Sequence, residues 1–165
     1  MAVTVAWVIV MNKPFYPIYV WYLVGNGVTA SLGTLVSTPF FLALPRLARR
    51  FPLGVRIALP LIGTADTLLA TRLFGQGSGT ELFLAACIML VALSFRPDEK
   101  WLQRGLAVFV FLAFVVSRNA VGAPLQTWTE SDLAILLNLN AFAVASLMAF
   151  IALTTAGMDE NPEKP

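Results

Sequence analysis

The chain has 165 residues, 58% apolar and only 12% charged, with a formal charge of +2, no histidine and a single cysteine. Soluble domains run at roughly 45–50% apolar and about 25% charged, so this chain has too little polar surface to enclose a water-soluble core. The same inventory excludes a nucleic-acid footprint, histidine-ligated metal or haem and Ser-His or Cys-His catalysis, and a disulfide within the chain.

The first apolar run covers residues 2–11, about 15 Å of helix or half a bilayer's hydrocarbon thickness. "NKP" follows, and Pro14 with Pro17 argues against a continuous helix. No basic segment precedes the run, so it does not read as a signal peptide. It is expected either to lie in the outer interface or to be the end of a crossing helix that starts before residue 1. Next comes "FYPIYVWY", residues 15–22, with five aromatics in eight positions and every tyrosine of the chain. It reads as the outer end of a second run, residues 18–45, because Trp and Tyr concentrate at membrane interfaces. An interfacial anchor is the first reading, with a ligand-facing role for Tyr19 and Tyr22 beside it. In "GNGVTASLG" of the same run, Gly27 and Ser31, and Thr29 and Gly33, are spaced for close helix approach.

A third run, residues 55–74, carries Asp66 near its middle, about 12–13 Å from the outer end. A carboxylate there costs roughly 2.5–3.5 kcal/mol on insertion scales, and no basic residue is expected at its depth. It should therefore turn inward, toward Asn138 or Asn140 of the last helix and Asn26 of the second. The outer loop "GQGSGTE" leads to a short fourth run, residues 80–95, in which Cys87 reads as a small core hydrophobe. Arg72 and Glu81, at facing ends of these two helices, read as a rim ion pair. A fifth run spans 102–117, and the loop after it contributes Trp128 to the outer aromatic belt. The sixth, 133–156, has a small-residue stripe at Ala141, Ala145 and Ala149 that reads as helix packing and leaves room for a homodimer face.

No run shows the alternation of a lipid-facing barrel strand. The fold class is all-α: a polytopic transmembrane helix bundle over residues 1–156, with five full crossings, a partial or truncated N-terminal sixth, and a short polar cytoplasmic tail at 157–165. The loops with Arg46, Arg49, Arg50 and Arg56, and with Arg96, Lys100 and Arg104, fall on one side together with Lys164. That side then holds eight of the eleven basic residues, and the positive-inside rule makes it, and the C-terminus, cytoplasmic. Lys13, Arg72 and Arg118 fall on the other side.

Within "TADTLLATRLFGQGSGTELFLAACIMLVALSF", the core "GQGSGTELF" (Gly75, Ser78, Gly79, Glu81, Leu82 and Phe83) is similar to the outer hairpin in six-helix membrane modules of bacterial class III adenylate cyclases and some sensor histidine kinases. The resemblance implies six helices, both ends cytoplasmic, a bacterial inner-membrane location and a receptor-like role. "MDENPEKP" stands where such proteins continue into a linker and effector domain. The functional expectation is a non-enzymatic sensory or small-ligand-binding membrane module acting through a separate effector protein. Its candidate ligand residues are Asp66, Asn140, Asn138, Asn26, Tyr19 and Tyr22, with no metal, cofactor or nucleic acid. A small carrier or channel subunit that uses Asp66 for ion or proton coupling is the alternative. A scaffolding accessory subunit is a third.

Overall fold

The computed structural model describes residues 1–159; part of the expected polar tail, with Lys164, lies outside the described residues. The described chain is helical, with no strand: α1 (Ala2–Asn12), α2 (Phe15–Val24), α3 (Val28–Gly33), α4 (Thr38–Leu47), α5 (Pro52–Phe74), α6 (Phe83–Ser94), α7 (Lys100–Ala120) and α8 (Glu130–Asp159). Four segments are long and apolar enough to cross a membrane: Val28–Leu47, Pro52–Phe74, Pro97–Ala120 and Glu130–Gly157. The pair α1 and α2, bent by 43°, meets the same criterion taken together, and Thr80–Ser94 is a shorter apolar helix. Large apolar side chains such as Phe40, Phe111 and Leu153 stand exposed on the outside, as they do in a protein whose solvent is lipid.

The first fifty residues depart from the expected runs. Residues 2–11 are not a segment separate from the aromatic stretch; they form the first half of a bent arm that continues through Val24. The bend sits at the two prolines. Pro14 has no N–H for the carbonyl four residues back, and Pro17 has none for Lys13, whose carbonyl instead accepts from Tyr16 N at 3.2 Å. Nor is 18–45 one helix. Gly25 and Gly27 take left-handed φ values of 78° and 71°, Gly25 N–H closes α2 on the Trp21 carbonyl, and the chain reverses there. The aromatic segment therefore belongs to the first arm. One of its faces (Tyr16, Pro17, Val20) turns inward, while Phe15, Ile18, Trp21 and Tyr22 face out.

The bundle has an arginine end and a glycine end. At the arginine end, Arg56 of α5 holds Glu99 through two hydrogen bonds of 2.7 and 2.8 Å and donates a third to the Ser94 carbonyl. This forked pairing ties the start of α5 to the turn between α6 and α7. A core of Val5, Phe41, Leu44, Leu59, Leu90 and Ile151 fills that half of the molecule, and Thr155 of α8 meets the Met1 sulfur at 3.0 Å.

The glycine end differs from expectation in three ways. Glu81 does not pair with Arg72: it lies 2.9 Å from Arg118 Nε and accepts from Ser117 Oγ at 2.8 Å. Arg72 is turned to the 121–129 loop, where it donates to the Val121 and Ala123 carbonyls. Trp128 is not in an outer belt. Its ring stacks on Phe74 at 5.4 Å, with Tyr16 edge-on to the other partner at 5.6 Å, and it occupies the space over Gly27. The Ala141, Ala145 and Ala149 stripe faces out of the bundle instead of packing within it. Cys87 is buried as expected.

A Cβ at Gly27 would lie 2.0 Å from the Trp128 ring, whereas one at Gly25 would meet nothing within 4 Å. Gly25→Ala should therefore cost only its left-handed backbone, about 1–2 kcal/mol. Gly27→Ala must also displace Trp128 and should cost about 3 kcal/mol or more. Thermal unfolding of both variants in one detergent checks this; equal losses would show that the ring does not rest on Gly27.

Candidate functional site

Asp66 turns into the bundle, and its partner is Lys13. Lys13 Nζ lies 2.9 Å from Asp66 Oδ1 and 2.8 Å from Oδ2, and it donates a third hydrogen bond, at 2.7 Å, to the Thr34 carbonyl. The ammonium thus meets three acceptor atoms and also sits 5.5 Å from the Phe41 ring centre. Ser37 Oγ donates to Asp66 Oδ1 at 2.5 Å. The side chains are 9% and 21% exposed, so the pair is buried on the lysine side and reachable on the carboxylate side.

Each part of this arrangement has a local cause. Lys13 lies at the midpoint of the 2–24 arm, immediately before Pro14, so the bend carries its side chain across to α5. The Thr34 carbonyl opens the 3₁₀ turn Thr34–Ser37, in which Thr38 N–H bonds Leu35 rather than Thr34, and it takes Lys13 beside Ser37 Oγ, which lies 3.2 Å away. Ser37, three residues further round that turn, presents its hydroxyl to the same carboxylate. The expectation of an unpaired acid is overturned: hydropathy falls away at residue 11, which puts Lys13 in an outer loop by sequence, whereas its side chain reaches Asp66.

Of the expected amide partners, none binds Asp66. Asn140 is fully buried and donates to the Ser78 carbonyl at 2.8 Å, which fastens the glycine hairpin onto α8. Asn138, two positions away and thus on another face of the helix, is exposed. Asn26 lies in the reversal between α2 and α3, exposed and beside Asp132. Tyr22 is 80% exposed and points away from the site.

What gathers Asp66 with Asn140 and Tyr19 is a cavity of about 990 Å³. The bent arm touches α8 near both ends, through Ile151 and the Met1 side at the arginine end and through Val20 and Leu136 at the other. Between them, at the bend, the arm and α8 frame the cavity, with α5 and α6 as its floor. Its polar lining includes Lys13, Tyr16, Asp66, Thr67, Thr80 and Asn140; its apolar lining includes Trp7, Leu59, Phe83, Leu90, Phe142 and Leu147. The threonines are self-satisfied, Thr67 on the Gly63 carbonyl at 2.9 Å and Thr80 on Thr71 Oγ1 at 3.1 Å. The Tyr16 hydroxyl and the Asn140 amide oxygen are shut away from the open space, and the two side chains approach one another. Lys13, Ser37 and Tyr16 were not among the residues picked from sequence; all three lie close to the bend or to the 3₁₀ turn. Among the described residues there is no group of three or more His, Cys, Asp or Glu side chains placed to share a metal ion.

No family model, curated protein or solved structure matches this chain.

Removing one member of a buried ion pair leaves the other charged and unpaired, at a cost of about 3–5 kcal/mol, while replacing both by apolar residues is often close to neutral. Lys13→Met and Asp66→Leu should each lose several kcal/mol of stability, and the double variant should regain most of it. Thermal unfolding of the four proteins in one detergent gives the coupling directly. Additive losses would mean that the two groups do not form a pair.

Proposed function

We propose that this protein is a non-enzymatic bacterial inner-membrane protein that binds a small amphiphilic molecule in the cavity framed by the bent arm and α8, and passes its occupancy to a separate effector. The cavity carries the reading. A space of about 990 Å³, largely apolar and with a few converging polar groups, has the size and character of small-molecule sites. It lies beside a bend, so a ligand that fills it bears on the angle between α1 and α2. The similarity of "GQGSGTELF" to six-helix receptor modules points the same way.

In this reading the bent arm, the segment Thr80–Ser94 and the four long spans make six crossings. The arginine end and both termini are cytoplasmic, in keeping with the asymmetry of basic charge. The carrier alternative draws no support from the geometry. Asp66 is held by Lys13 and Ser37, so its charge is already matched and a coupling ion would have to displace an ammonium.

Two measurements test the proposal. A reporter enzyme active only outside the cytoplasm should work when fused at Gly77 and fail when fused after Gly157; the reverse pattern would overturn the orientation. The uncharged fluorophore 1-aminoanthracene should bind the purified, delipidated protein saturably, one molecule per chain. Ala143→Trp, which projects a ring from α8 into the cavity, should abolish that signal without changing the unfolding temperature by more than a few degrees. Linear, non-saturable partitioning that is the same in the variant would remove the cavity as a binding site.

A further inference from the structure

We propose that the groove between α1 and the last turn of α4 binds the head of an acidic glycerophospholipid, with Arg46 and Arg49 on its phosphate. The groove encloses about 600 Å³ and is lined by Val3, Trp7, Pro45, Arg46, Ala48 and Arg49. It lies at the arginine end, and Trp7 is the one lining residue it shares with the cavity. The site is separate from the cavity reading and needs only that this end meets a membrane surface.

Local structure sets two unlike walls against each other. On α1, Val3 and Trp7 are four residues apart and share a face. On the facing helix Arg46 and Arg49 are three apart, so their side chains also emerge together. Ala48 and Pro45 are too short to fill the space between the walls. One layer deeper, Val5 and Ala6 pack with Phe41 and Leu44 and fix the two helices to each other.

Charge decides the occupant. Arg56, at the same end, is committed to Glu99 and the Ser94 carbonyl, and Arg104 lies over the Trp101 ring at 5.1 Å. Arg46 and Arg49 are exposed and make no hydrogen bond or ion pair among the described residues. Each guanidinium offers a planar fork of donors that fits phosphate oxygens in pairs, and one helical turn separates the two. A free phosphate would meet those charges and leave Val3 and Trp7 uncovered. A phosphate that carries an acyl chain meets both walls at once. Basic recesses between membrane helices hold acidic head groups in this way. Arg50, the next residue, is equally exposed but lies outside the groove, which supplies a control.

Native mass spectrometry of the delipidated protein in neutral detergent counts bound lipid directly. Dioleoyl phosphatidylglycerol should bind at one per chain. Dioleoyl phosphatidylcholine, with the same chains and no net charge, should need a concentration about twentyfold higher. Arg46→Gln and Arg49→Gln should each weaken phosphatidylglycerol by about fivefold, the effect of one basic residue on an acidic head. The double variant should bind the two lipids alike, Arg50→Gln should bind as the parent does, and inorganic phosphate in large excess should leave the lipid in place. All three arginines are exposed, so the variants should unfold at the parent's temperature. Equal binding of the two lipids by the parent, or a preference that survives in the double variant, overturns the site. If Arg50→Gln weakens phosphatidylglycerol as much as Arg46→Gln does, the attraction is diffuse surface charge and the groove binds nothing. Displacement by inorganic phosphate would make a free anion, not a lipid, the occupant. None of these outcomes depends on the dye or reporter measurements above.

Discussion

A single lysine and a single aspartate, each near the middle of an apolar segment, constrain everything around them. Neither can be left alone in a medium of low dielectric, and a pair is stable there only when its remaining protons and lone pairs are also met. Lys13 therefore takes a third acceptor, and the segment between α3 and α4 supplies one by tightening into a 3₁₀ turn that diverts the Thr38 N–H from the Thr34 carbonyl. Asp66 takes a second donor, Ser37, from the same turn. The break in one helix and the bend in another thus serve one ion pair. The two irregularities are not independent defects.

The bend also explains why there is a cavity. A straight arm could pack along the whole of α8; one bent by 43° meets it near the ends and leaves room between. The ends are secured by unlike means. Aliphatic packing around Ile151 and Val5 holds the arginine end. At the glycine end a stack of Tyr16, Phe74 and Trp128 lies over Gly27, and Asn140 and Glu81 fasten the hairpin to α8 and α7. The site is bounded by two fixed ends and a proline hinge.

Helix content, the long apolar spans and the inward turn of Asp66 were all legible in the sequence, because length and hydropathy report them directly. The partner of Asp66 was not. Hydropathy stops at residue 11, and "NKP" looks like a loop, which points Lys13 to a surface. Counting 2–24 as one interrupted segment puts Lys13 at its centre, and a lone mid-segment base opposite a lone mid-segment acid would then have been the natural pairing. The choice between Asn138 and Asn140 was also readable. Asn140 shares its helix face with the buried Leu136 and Val144, four residues to either side, and Asn138 does not. Trp128 was beyond reach, since its position depends on the missing side chain of Gly27, a contact about a hundred residues away along the chain.

The separation of Lys13 and Asp66 by 53 residues has a consequence for biogenesis. An arm with lysine at its centre is a poor candidate for insertion by itself, the charge costing roughly 2.5–3.5 kcal/mol at mid-helix. Its counter-charge is synthesised two segments later. On the membrane reading, the nascent arm must wait, snorkelling its ammonium to the interface or sheltered by the insertion machinery, until α5 emerges and neutralises it. The arm, made before α5, would thus settle after it, and the reversal at Gly25–Gly27 gives it the slack to do so.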